Sequence, residues 1–73
     1  MKTKDEFETE QCRRLVAALA ELPQEQREVV VLKIKDGIKL KDIARLQGVS
    51  ISTAHARYRY GMNKLRALLD GEV

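Results

Sequence analysis

Tryptophan is absent, and aromatic residues make up only 4% of this 73-residue chain. Any core must therefore be filled by Leu, Val, Ile and Ala, a composition that favours packed helices over a β-sandwich. Cys12 is the one cysteine, so no internal disulfide can form, and we read it as a structural thiol. His55 is the one histidine, which leaves no ligand set for zinc; no cofactor is expected. No run approaches the roughly 18 apolar residues of a membrane span. The N-terminus Met1-Lys-Thr-Lys-Asp also lacks the apolar stretch of a signal peptide. The chain thus reads as cytoplasmic, with no membrane partner. There is no nucleophile with an adjacent base, no acidic pair in a plausible cleft and no phosphate-cradling glycine loop, so an enzyme is not expected. A chain this short buries only about 60% of the surface its unfolded form exposes, which leaves little room for an enclosed catalytic cleft.

Acids are also missing from most of the second half. Residues 1–36 carry a net charge of −1, whereas from Gly37 to Leu69 seven Lys and Arg face a single acid, Asp42, for a net +6. A basic half of this kind suits a polyanion. The plainer alternative is a solvated charged face.

Punctuation divides the chain into four helical segments of one domain, 1–73, without strand-like alternation or repeats. The first covers about 5–21, with residues 1–6 expected to fray. Its early acids Asp5, Glu6, Glu8 and Glu10 suit the positive end of the helix dipole, and Leu15, Val16, Leu19 and Leu22 supply its apolar positions. Leu22-Pro23 ends it, since the residue before proline is pushed out of the α region, and Pro23 suits the first position of a second helix over about 23–36. The run Val29-Val30-Val31-Leu32 would also fit a buried strand. The acidic, glutamine-rich entry and the lack of a partner strand favour a helix, closed by Gly37 in the left-handed region. A third, short helix over about 40–47 turns Leu40, Ile43, Ala44 and Leu46 inward. A fourth, over about 51–69, has the inward stripe Ile51, Ala54, Tyr58, Gly61/Met62, Leu65 and Leu68/Leu69, with 70–73 as a tail.

The junction Gly48-Val49-Ser50 gives these helices their meaning. Glycine takes positive φ without steric cost, Val49 plugs the angle, and Ser50 caps the next helix. Ala44, four residues before Gly48, is small enough to permit a close crossing. Short helix, glycine turn and longer helix opened by Ser form a helix-turn-helix, whose second helix enters the major groove. The outer face left on that helix is Ser52, Thr53, His55, Ala56, Arg57, Arg59 and Tyr60, without an acid. We assign Ser52, Thr53, His55 and Ala56 to base edges, Ala56 through a thymine methyl. Arg57, Arg59 and Tyr60 are assigned to phosphates or flanking bases. Lys39 and Lys41, at the N-terminal end of the third helix, would add phosphate clamps. Tyr58 is assigned to the core. Taken singly, the plainer reading of each polar residue among these is a solvent-exposed side chain, and for His55 the two readings weigh about equally.

Three pieces occur in a known order and spacing: Leu22-Pro-Gln-Glu-Gln-Arg-Glu-Val-Val through Gly37, then Asp42-Ile-Ala-Arg-Leu-Gln-Gly-Val-Ser, then Thr53, Arg57 and Lys64-Leu-Arg. Over about 15–69 the chain resembles region 4 of bacterial RNA polymerase sigma factors, especially the extracytoplasmic-function group. The resemblance implies a four-helix fold that reads the minus-35 promoter element in double-stranded DNA. It also implies a second face that grips the β flap of core RNA polymerase, and an anti-sigma factor as a further partner. In that family the positions matching Ser52, Thr53, His55, Ala56, Arg57 and Arg59 face DNA. The sequence departs from the family at Lys39 (commonly Ser), Lys41 (commonly acidic), His55 (frequently Lys) and Gly61 (frequently Ala). Gly61 costs roughly 1 kcal/mol relative to Ala in a helix interior, so the fourth helix is expected to bend or fray beyond it. The promoter-melting region 2 of a complete sigma factor does not fit in 73 residues. The chain is therefore expected to be an excised domain or a free-standing relative. Two alternatives are a dimeric LuxR-type output domain and an interaction module that binds polymerase or an anti-sigma factor with little use of DNA.

Overall fold

The structure, a computed structural model, describes residues 4–71, with side chains described from Thr9 onward. Four helices follow one another: α1 Lys4–Ala20, α2 Gln24–Ile34, α3 Leu40–Gln47 and α4 Ile51–Asp70. No strand occurs among the described residues. The all-α expectation and the helix-turn-helix hold, with small shifts at the ends. α1 already begins at Lys4, within the stretch expected to fray, while residues 1–3 and 72–73 lie outside the described residues. Pro23 is the N-cap of α2 rather than its first helical residue, with φ −54° and ψ 147°. The carbonyl of Pro23 accepts the Arg27 N–H at 2.9 Å, so the first helical bond forms without needing the donor proline lacks. α2 ends at Ile34, two residues before the expected boundary, and Gly37 is left-handed at φ +67°.

The turn between α3 and α4 is built as expected. Gly48 sits at φ 67°, ψ 35°. Its N–H reaches the Arg45 carbonyl at 3.1 Å, and the Val49 N–H reaches the Ala44 carbonyl at 2.9 Å. These two bonds are the Schellman pattern, which satisfies carbonyls that the end of α3 would otherwise leave bare. Ser50 then caps α4, its Oγ accepting the Thr53 N–H at 3.1 Å.

α4 touches each of the other three helices, and α2 also touches α3. Ala18, Leu22, Val30 and Leu65 form the central buried cluster, with Leu19, Tyr58, Met62, Leu68 and Leu69 packed against it. Val29, Ile43, Ala44 and Ala54 are buried as well. Gly61 is buried where α2 crosses α4: a Cβ there would lie 2.8 Å from Val30 Cγ2. α4 nonetheless continues as helix to Asp70, so the expected fraying beyond Gly61 does not occur. The glycine is a contact surface for α2, and the packing that it permits offsets its poor helix propensity.

Four expected core positions are instead exposed. Val16 is 65% exposed, and Ala18, overlooked for its small size, takes the inward place on α1. Leu46 is 70% exposed because the buried phase of α3 runs through Ile43 and Ala44 to Gln47. Ile51 is 58% exposed, since the first residue of α4 protrudes beyond the packed body. Leu15 also lies largely at the surface. Residues 9–17 are all exposed, Cys12 among them, so the thiol plays no part in the core. The shape reflects this: the radius of gyration is 13.8 Å and the extents are 48 × 25 × 14 Å, against roughly 11 Å for the radius of gyration of a compact chain of this length. No helix among the described residues is long and apolar enough to cross a membrane.

Gly61→Ala sets a propensity gain of about 1 kcal/mol against a clash with Val30 that costs about 1–3 kcal/mol. Thermal unfolding followed by circular dichroism should show a lower Tm; a higher one would mean that the helices part at no cost. Ser50→Ala removes the cap of α4 and should destabilise by about 1 kcal/mol, with Ser50→Asp close to wild type in the same assay.

Candidate nucleic-acid interface

At about 100° per residue, the buried stripe of α4 through Ala54, Tyr58, Gly61 and Leu65 places Ser52, Ala56 and Arg59 on the opposite face. Thr53 and Tyr60 lie beside that face. His55 and Arg57 fall on its two flanks, one at each border with the core. Ser52, Thr53, His55, Arg59 and Tyr60 are exposed, as the sequence led us to expect, and no acid lies between Ile51 and Leu69. Ala56 is half-buried, so only part of its methyl is presented outward.

Four of these side chains already have local partners. The Ser50 hydroxyl donates to Thr53 Oγ1 at 3.0 Å, which fixes the Thr53 side chain while leaving its own O–H to donate. The Arg59 guanidinium lies 5.5 Å from the centroid of the Tyr60 ring, a cation–π stack on the surface of α4. Arg57 is half-buried, and its Nη1 donates to Gln47 Oε1 at 2.8 Å. The N-terminus of α4 carries no acidic residue in its first turn, so its positive dipole end is not neutralised locally.

Lys39 and Lys41 are exposed at the start of α3, on a different helix from the rest of the set. Lys39 is the N-cap and makes no side-chain cap bond; its carbonyl accepts the N–H groups of Asp42 at 2.9 Å and Ile43 at 3.0 Å. Its ammonium is thus not committed to the cap. Asp42 in the first turn of α3 is the acid nearest these lysines in sequence. Tyr58 packs against the central cluster, where the sequence placed it.

The sequence reading missed Gln47. Its Nε2 donates to Glu28 Oε2 and to the Glu25 carbonyl, each at 3.2 Å, while its Oε1 accepts from Arg57. One signal for it was present: Gln47 stands four residues after Ile43, so a polar group occupies the position where the apolar stripe of α3 would continue.

The sequence that builds this geometry, a glycine turn between a short helix and a capped longer one with an acid-free outer face, is similar to those of known proteins. Residues 12–65 match the family described as Sigma-70, region 4. The RNA polymerase sigma factor CarQ of Myxococcus xanthus is 41% identical over 61 residues, which are 84% of this chain and 34% of that protein. The ECF RNA polymerase sigma factor EcfG of Rhodopseudomonas palustris is 40% identical over 53 residues, 73% of this chain and 29% of that protein. The chain thus spans about a third of the length of the curated relatives it matches. No solved structure matches. With most of its length in the match, and with α3, the turn and the outer face of α4 inside it, the chain belongs to the sigma-70, region 4 family.

Proposed function

We propose that this domain binds double-stranded promoter DNA in transcription initiation, reading the minus-35 element with α4 in the major groove, and that it also contacts RNA polymerase. The observation that carries the proposal is the capped, acid-free outer face of α4 on a helix-turn-helix, inside a match to sigma-70 region 4. Ser52, Thr53 and His55 face base edges in this reading, with Ala56 offering the exposed part of its methyl to a thymine. Arg57, Arg59 and Tyr60 meet phosphates or flanking bases, and Lys39 and Lys41 clamp the backbone from α3. The role is one of binding, not catalysis, and it belongs in the cytoplasm with the transcription machinery. As in the ECF group, the flap of the polymerase β subunit and an anti-sigma factor are the protein partners proposed. The region 4 match favours this reading over a LuxR-type output domain. The single domain would act as one module of a larger sigma factor or as a free-standing relative of one.

Titration of a labelled duplex across a salt series tests the proposal directly. Each phosphate neutralised lowers the slope of log K against log salt by roughly 0.9, so two to four contacts predict a slope of about −2 to −4. A flat response would remove DNA from the function and leave the protein partners. Arg57→Ala should weaken binding to all duplexes alike and make the slope shallower by about one contact. His55→Ala should instead change which duplexes are enriched from a random pool; an unchanged ranking would take His55 out of base reading.

A further inference from the structure

Arg57 stands on the flank of α4 rather than on its outermost line, and it is held there by a side chain from another helix. The Gln47 amide is fully engaged: Oε1 accepts from Arg57 Nη1 at 2.8 Å, and Nε2 donates to Glu28 Oε2 and the Glu25 carbonyl at 3.2 Å each. Glu28 is in turn braced by Gln24, whose Nε2 donates to Glu28 Oε1 at 3.3 Å. The chain of bonds therefore runs from α2 through the last residue of α3 to the middle of α4. The charges at its two ends fix the direction of the amide. Turned over, Gln47 would set its NH₂ against a guanidinium and its oxygen against a carboxylate and a carbonyl.

We infer that Gln47 is a positioning residue for DNA recognition: it holds Arg57 in one orientation on the border of the reading face. This rests on the proposed DNA-binding role of α4. An arginine side chain in free solution samples many rotamers and must give up that freedom to meet a phosphate. The bond to Gln47 removes part of that freedom before DNA arrives, and it uses only Nη1. Nε and Nη2 have no protein partner among the described residues and remain available to a phosphate or a base edge. Gln47 itself ends α3 one residue before the left-handed Gly48, so the turn that orients α4 also places the group that orients Arg57. Recognition helix and anchoring arginine are thus registered to each other by the same junction.

The test is a double-mutant cycle on the 73-residue chain, read by titrating each protein into the duplex that the wild type enriches most from a random-sequence pool. Gln47→Met keeps the length and helix propensity of the side chain while deleting its hydrogen bonds. It should weaken binding about tenfold in the wild-type background and less than twofold beside Arg57→Ala, a coupling of at least fivefold, or about 1 kcal/mol. In the free protein, nitrogen-correlated spectra at low temperature should show resolved Arg57 guanidinium signals that collapse in Gln47→Met, with the backbone amide pattern retained. Equal losses in both backgrounds, or no loss in either, would overturn the positioning role. Should Arg57→Ala bind like wild type while affinity stays salt-dependent, the inference falls and the DNA reading stands. Absence of duplex binding by the wild type would end both.

Discussion

The contact of Val30 with Gly61 sets how closely α2 and α4 approach, and every other packing relation passes through one of those two helices. A side chain at position 61 would meet Val30 at 2.8 Å, so the helices are as close as a glycine allows. From that crossing Leu65 reaches Leu22 and Ala18, which brings the end of α1 onto the body. On the other side of the same crossing Val29, Ile43, Ala44 and Ala54 are buried, where α2, α3 and α4 meet. The core is small, contains no buried polar or charged residue among those described, and depends on small side chains at its crossings as much as on large ones.

Much of this was legible in the chain because local chemistry decided it. Proline after Leu22, glycine at 37 and 48 and serine at 50 each specify a backbone state that few other residues tolerate or stabilise as well, and the turns fall where those residues stand. Phase was harder to read. On α3 the stripe through Leu40, Ile43 and Ala44 continues to a glutamine, and hydrophobicity alone assigned that place to the neighbouring Leu46. On α1 an alanine at 18 carries the buried phase, and a bulky valine at 16 drew attention away from it. Ile51 has the correct phase but lies beyond the end of the core. In each case the decisive quantity was what lay opposite in space.

Exposure along the proposed interface was legible to a similar degree and for the same reason. Exposure of Ser52, His55 and Arg59 follows from helical spacing once the stripe of Ala54, Tyr58, Gly61 and Leu65 is known. The environment of Arg57 does not, because its partner comes from ten residues earlier and across a turn. The half-burial of Ala56 likewise depends on how deeply α4 sits among its neighbours. Gly61 shows the reverse case: helix propensity marks it as a weakness, and only the position of Val30 turns it into a fit.

That one helix serves as the spine of the core and, in the proposed function, as the reading face has a consequence for how such a domain can change. Along α4 the two duties alternate, with Ala54, Gly61 and Leu65 committed to cohesion and Ser52, His55 and Arg59 left to the outside. Residues of the second group can vary without disturbing the first, so in the proposed DNA-reading role new addresses are open to single substitutions that a marginally stable fold survives. At the border the duties merge. If Gln47 positions Arg57 as proposed, the two belong to both sets and variation there must be paired, which makes that edge of the helix the slow-changing part of an otherwise readily re-addressed surface.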